Sequence, residues 1–123
     1  MKLLAVEDNR EDQKFLRFYL RRNFEVDVVD SADEFFEKFN SNEYEVLLFD
    51  ISIRGELTGI DLIREVREKL KSKIPIVVLT AHAYAGERNE AFNAGANYFL
   101  VKPTPRDELM ETILKAVDEK EKF

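Results

Sequence analysis

The sequence predicts an α/β domain in which a parallel sheet is covered by helices on both faces. Five short apolar runs alternate with five longer segments of helical period, the order produced when each strand is followed by a crossover helix. Four of the five runs are continuously apolar, as strands buried on both faces are. Four of the helical segments open on a residue able to cap a helix start, where backbone donors otherwise go unsatisfied.

The elements follow in order. Residues 2–6 form the first strand, and Asn9, with Asp12 three places on, caps a helix whose apolar stripe is Phe15, Leu16, Tyr19 and Leu20. The second strand, 25–29, only half alternates in polarity, which suggests a sheet edge. Ser31 with Glu34 is a capping box before Phe35, Phe36 and Phe39. The third strand, 45–49, is apolar after its first residue, and Thr58 with Asp61 caps a helix striped by Ile60, Ile63, Val66 and Leu70. The fourth strand is 74–79. The fourth helix, about 85–94, has the smallest apolar set, Ala85, Ala91, Phe92 and Ala94, and stops at Gly95, so it should be the most mobile. The fifth strand, 98–101, leads to Thr104-Pro105 with Asp107, a cap with proline at the first helical position. Leu109, Met110, Ile113, Leu114 and Val117 then form the core stripe of the last helix.

Composition excludes several functions. At 123 residues and 45% hydrophobic content, the chain supports one core, so a single domain over 1–123 without an output domain is expected. The apolar runs are far short of the roughly 20 residues of a membrane span, and no signal segment opens the chain, so a cytoplasmic protein is expected. Without cysteine there is no thiolate nucleophile and no cysteine-ligated metal. A net charge of -6 with no basic block disfavours direct nucleic-acid binding.

The chemistry lies at the strand ends, because open parallel sheets place ligand sites outside the carboxyl ends of their strands. Val6 runs into Glu7-Asp8, Phe49 into Asp50, Leu79 into Thr80, and Val101 into Lys102. Each residue alone has an ordinary explanation, such as a helix-start acid, a turn residue, a strand threonine or a surface lysine. Together, in a parallel sheet, they line one edge. Carboxylates about 4 Å apart repel by roughly 4 kcal/mol at an effective dielectric of about 20, so cations must join them. Lys102 supplies one, and a hard divalent ion such as Mg²⁺ suits oxygen ligands without a dedicated cage. A metal, an ammonium, a hydroxyl and a carboxylate acceptor are the parts needed for phosphoryl transfer.

The pattern resembles the receiver domain of two-component response regulators over essentially the whole chain. Leu3-Leu4-Ala5-Val6-Glu7-Asp8-Asn9 resembles the family's first strand and acidic pair, Leu47-Leu48-Phe49-Asp50-Ile51 its phosphoacceptor strand, and Val78-Leu79-Thr80-Ala81 its switch hydroxyl. Ala94-Gly95-Ala96 and Val101-Lys102-Pro103 resemble its last quarter. The resemblance implies a flavodoxin-like, doubly wound five-stranded parallel sheet of order 2-1-3-4-5 with five helices on two faces. It implies that Asp50 is phosphorylated by a histidine kinase or phosphotransfer protein. It further implies that Asp8, Asp50 and the Ser52 backbone carbonyl ligate Mg²⁺, with Glu7 acting through water, and that Thr80, Lys102 and the Ala81 backbone amide hold the phosphoryl oxygens. A cis Lys102–Pro103 bond is implied too. By itself Phe99 reads as a core aromatic; by the resemblance it turns inward with Thr80 and remodels the face of helix 4, strand 5 and helix 5 for a downstream protein effector. A monomer or weak dimer is expected, acting as a signalling phosphoacceptor and not as an enzyme.

The chain departs from the family pattern at two places. Glu7 replaces the commoner aspartate, which bears on Mg²⁺ affinity, and the loop 51–59 lacks the usual proline and is one residue longer, which bears on kinase docking. Ser52 and His82, each two positions past a site residue, either tune hydrolysis of the phosphoryl group or, for His82, form an exposed position without a role. Three other functions fit the pattern less well. An aspartyl-phosphate hydrolase needs an aspartate where Ser52 stands, a flavodoxin-like cofactor binder needs a phosphate-cradling loop where 7–11 is acidic, and a degenerate scaffold would lack the acceptor, lysine or acidic pair that are present here.

Overall fold

Parallel pairing of the five apolar runs builds one sheet in the order β2-β1-β3-β4-β5. The structure, a computed structural model, describes residues 1–53, 55–81, 84 and 86–121. Its elements are β1 (Lys2–Val6), α1 (Arg10–Leu20), β2 (Glu25–Val29), α2 (Ala32–Ser41), β3 (Val46–Phe49), α3 (Gly59–Arg64), β4 (Ile76–Thr80), α4 (Glu87–Ala94), β5 (Tyr98–Val101) and α5 (Arg106–Glu121). The half-alternating β2 does lie at an edge. A π-helical turn, Glu65–Lys69, prolongs α3. Among the described residues no helix is long and apolar enough to cross a membrane.

Strand residues point alternately to two cores, because successive side chains leave opposite faces of a sheet. Leu3, Ala5, Val46, Leu48, Val77 and Leu79 pack against Leu16 and Leu20 of α1 and Leu109, Ile113 and Val117 of α5. Leu4, Val6, Leu47, Phe49, Ile76 and Val78 meet Phe35 of α2, Ile60 and Ile63 of α3, and Ala91 of α4. Both faces are covered, so the central strands tolerate no polar residue until their carboxyl ends.

Three expected caps form. The Asn9 side chain accepts from the Asp12 N–H, Ser31 from Glu34, and Thr58 closes a capping box with Asp61. The fourth does not. The Thr104 hydroxyl donates to the Val101 carbonyl at 2.7 Å, and α5 begins at Arg106, one residue later than expected, with the Pro105 carbonyl accepting its first bond from Leu109. The fourth strand starts at Ile76 because Pro75 has no N–H for the ladder, and it extends through Thr80. Phe15 and Leu70, expected in the core, are 51% and 37% exposed. Each lies at the margin of its stripe, and Phe15 stacks on Tyr19 at 5.9 Å. Ala85 lies outside the described residues, and α4 is described from Glu87, burying only Ala91 and Ala94.

Arg67 ties the opposite end of the sheet. Its guanidinium donates to the carbonyls of Ser72, Ile74 and Gly95 and to Asn97 Oδ1. Gly95 has φ +123, and a Cβ there would come within 2.6 Å of the Arg67 side chain. Only glycine serves both needs at that helix end.

Candidate functional site

Four strands end side by side, and the ladder continues one residue past three of them. The Glu7 N–H donates to the Val29 carbonyl at 2.9 Å, and the Asp50 N–H to the Val6 carbonyl at 3.0 Å. Thr80 is the last residue of β4, in register with Val101, and the Lys102 N–H donates back to the Thr80 carbonyl at 2.9 Å. Strand pairing alone therefore places Glu7, Asp50, Thr80 and Lys102 along one edge. Gly59 closes the floor from the α3 side. Its N–H donates to the Ile51 carbonyl at 2.7 Å, and a Cβ there would lie 2.1 Å from the Asp50 backbone oxygen.

The side chains converge on Asp50. Thr80 Oγ1 donates to Asp50 Oδ1 at 2.8 Å, and the Ser52 N–H donates to the same oxygen at 3.1 Å. Lys102 Nζ donates to Asp50 Oδ2 at 2.9 Å, to Asp12 Oδ2 at 2.8 Å and to Glu7 Oε1. The other Glu7 oxygen accepts from the Asn9 N–H at 3.1 Å, and the Gln13 side-chain amide donates to the Glu7 backbone carbonyl at 2.6 Å. Glu7, Asp50 and Thr80 are the buried polar residues among those described.

Burial raises the Glu7 carboxyl from its ordinary 4.5 to about 7; the Lys102 hydrogen bond opposes this and the Asp50 charge adds to it. Burial alone would depress the Lys102 amine, but its bonds to Asp12, Asp50 and Glu7 more than reverse that and hold it above the ordinary lysine value. The amine is therefore charged at neutral pH. Because the folded pKa of Glu7 lies above its unfolded value, its contribution to stability is full below about pH 4.5 and declines as pH rises toward about 7. In chelator, the urea midpoint of the wild-type protein is thus expected to fall across that window relative to Glu7→Gln. Parallel pH profiles of the two proteins would contradict the raised value.

Comparison with known proteins decides the family. The family model of the response regulator receiver domain matches residues 3–114. The chain belongs to that family. Transcriptional regulatory protein ResD of Bacillus subtilis is 35% identical to this receiver over 108 residues, covering 86% of the chain and 44% of ResD. A CheY-like receiver from Methanospirillum hungatei superposes with a TM-score of 0.90 at 26% identity, covering 98% of this chain and 96% of that one. The receiver domain of sensor histidine kinase PA1611 from Pseudomonas aeruginosa, solved with a magnesium ion coordinated in its active-site cleft, matches at a TM-score of 0.83 and 30% identity, covering 95% and 97%. The receiver spans less than half the length of the curated relatives it matches. The fold is that of a CheY-like, flavodoxin-like receiver with the strand order 2-1-3-4-5, and its class is two-component signalling.

Of the residues singled out in the sequence, this receiver brings Glu7, Asp50, Thr80 and Lys102 together. Asp8 is half-buried and lines a neighbouring rim groove with Arg10 and Gln13; it makes no contact with the Lys102 amine, where the third carboxylate is Asp12. Ser52 is exposed and meets Asp50 through its backbone N–H, and Ala81 is exposed at the end of β4. Phe99 is buried, 6.5 Å from the Phe92 ring, with the Arg88 guanidinium over both rings. The Lys102–Pro103 peptide is cis. His82 lies outside the described residues. Asp12 is legible in the sequence only as a first-turn helix acid, and the i, i+4 spacing from Asp8 is its sole hint.

Among the described residues no three acidic or imidazole side chains converge closely enough to hold a metal by themselves. Mg²⁺ keeps several waters and takes one or two carboxylates. Two buried carboxylates, Glu7 and Asp50, share a single ammonium, and this excess of negative charge fits a divalent cation at the rim.

Proposed function

We propose that this receiver accepts a phosphoryl group on Asp50 from a phosphohistidine of a histidine kinase or phosphotransfer protein, with Mg²⁺ bound. The observation that carries the reading is the convergence of the Lys102 amine and the Thr80 hydroxyl on opposite oxygens of one buried carboxylate. An Asp50 oxygen attacks phosphorus, a P–O bond forms, and the P–N bond breaks with its electron pair leaving on the imidazole nitrogen. Lys102 and Thr80 each give a hydrogen bond to the phosphoryl oxygens, joined by the Ala81 amide. Asp8, Asp50 and the Ser52 backbone carbonyl would hold Mg²⁺, with Glu7 acting through water, and the ion would neutralise charge on the phosphoryl oxygens.

Thr80 shifts from the Asp50 carboxylate toward the phosphoryl group, and Phe99, packed between Phe92 and the sheet, couples that shift to the α4–β5–α5 face. A protein effector reads that face. ResD is named a transcriptional regulatory protein and PA1611 a sensor histidine kinase, so receivers of this kind serve both regulators and kinases.

Acetyl phosphate and Mg²⁺ followed by intact-mass measurement tests the reading. One phosphoryl adduct is expected, absent in Asp50→Asn and absent in chelator. An adduct that persists in Asp50→Asn, or steady release of phosphate from many small esters without an adduct, would replace it with another acceptor or with a phosphohydrolase.

A further inference from the structure

An ammonium has three N–H donors, and in this structure the Lys102 amine gives them to three carboxylates, on Glu7, Asp12 and Asp50. A phosphoryl group on Asp50 brings new acceptor oxygens and negative charge to an amine whose donors are all engaged, so it competes with the carboxylates already there. Burial decides which of them yields most easily. The Glu7 and Asp50 side chains are 3% and 8% exposed, whereas Asp12 is 34% exposed. Glu7 is also anchored by the Asn9 N–H, and Asp50 by the Ser52 N–H. Asp12 stands in the first turn of α1 and lines an open groove with Phe15, Tyr19 and Pro103. It has space to swing away, and water there can solvate its carboxylate at little cost.

We infer that Asp12 is an electrostatic gate on the acceptor site, occupying the third donor of Lys102 until an incoming phosphoryl oxygen displaces it. It is a positioning residue that acts through Lys102, and the inference rests on Asp50 being the acceptor. While paired, Asp12 keeps the amine saturated; its negative charge also opposes an anionic group arriving at the same amine. Removing that charge therefore eases phosphoryl binding, whereas removal of a mere structural brace would weaken it.

The test is beryllofluoride affinity, read by fluorine NMR at saturating Mg²⁺, together with the rate of adduct formation from acetyl phosphate. Asp12→Asn retains the backbone N–H that Asn9 caps, and urea unfolding checks that the fold is intact. Asp12→Asn is expected to bind beryllofluoride about two- to fivefold more tightly than wild type, the range set by losing one partly exposed ion pair, and to form adduct faster. Asp12→Ala should move the same way, and Asp12→Glu should stay near wild type. Unchanged or weaker binding in both Asp12→Asn and Asp12→Ala overturns the gate while leaving Asp50 as acceptor. A wild-type protein that takes up neither beryllofluoride nor phosphoryl would instead overturn the acceptor reading, and the gate with it.

Discussion

Lys102→Met is expected to cost about 3–5 kcal/mol of folding stability at neutral pH without metal, the range for removing one partner from a buried charge cluster. The substitution keeps an unbranched stem but leaves Glu7 and Asp50 facing each other, both almost wholly buried, with Asp12 at the rim. The loss should shrink as pH falls, because the Glu7 carboxyl, already raised to about 7, can then take up a proton. Added Mg²⁺ should recover part of it by returning positive charge to the same pocket. Adduct formation from acetyl phosphate should drop by about 10²–10³, the usual cost of deleting one preorganised donor to a transferring group. Urea unfolding with and without Mg²⁺ separates the two effects. A variant as stable as wild type in chelator would mean that the amine does not balance those acids.

Gly59→Ala should be the other severe change, although the residue carries no functional group. A methyl at that position would lie 2.1 Å from the Asp50 carbonyl oxygen, 2.8 Å from the Ile51 Cα and 2.9 Å from the Asp50 carbonyl carbon. All three neighbours are backbone, so no flexible side chain can move aside. Either α3 retreats or the strand end carrying Asp50 shifts. Overpacking of this kind costs about 1–3 kcal/mol and sometimes more. A shift of Asp50 would also loosen the bonds from Thr80 and Lys102, so adduct formation should slow by more than the stability loss explains. A Gly59→Ala protein with wild-type stability and rate would show that the α3 start is not what holds the strand end carrying Asp50.

Much of this was legible in the chain because burial leaves a simple trace. Strands covered on both faces are written as unbroken apolar runs, and the first polar residue after each run marks where the sheet meets solvent. Asp50 and Lys102 stand there, and Thr80 closes β4 itself. The edge position of β2 was legible from its half-alternating pattern for the same reason. Side-chain direction in the loop after β1 left no such trace. Asp8 and Asp12 are both acids near a helix start, and the dipole and capping give either one an ordinary reason to be there. Only the path of the chain through Asn9 sends Asp12, one turn on, to the amine. The margins of helical stripes were blurred similarly: periodicity finds the face but not its width, so Phe15 and Leu70 fell on the solvent side. At α5, proline at 105 signalled a helix start, but the Thr104 hydroxyl found the Val101 carbonyl and the helix opened one residue later.

Borohydride trapping addresses the acceptor site most directly, since an aspartyl phosphate is reduced to homoserine at the residue that carried it. Protein treated with acetyl phosphate and Mg²⁺, reduced and then peptide-mapped by mass spectrometry should show homoserine at position 50 alone, and none when Mg²⁺ is chelated. Homoserine at position 7, 8 or 12, or a phosphoryl adduct that resists borohydride, would contradict Asp50 as the acceptor held between Thr80 and Lys102.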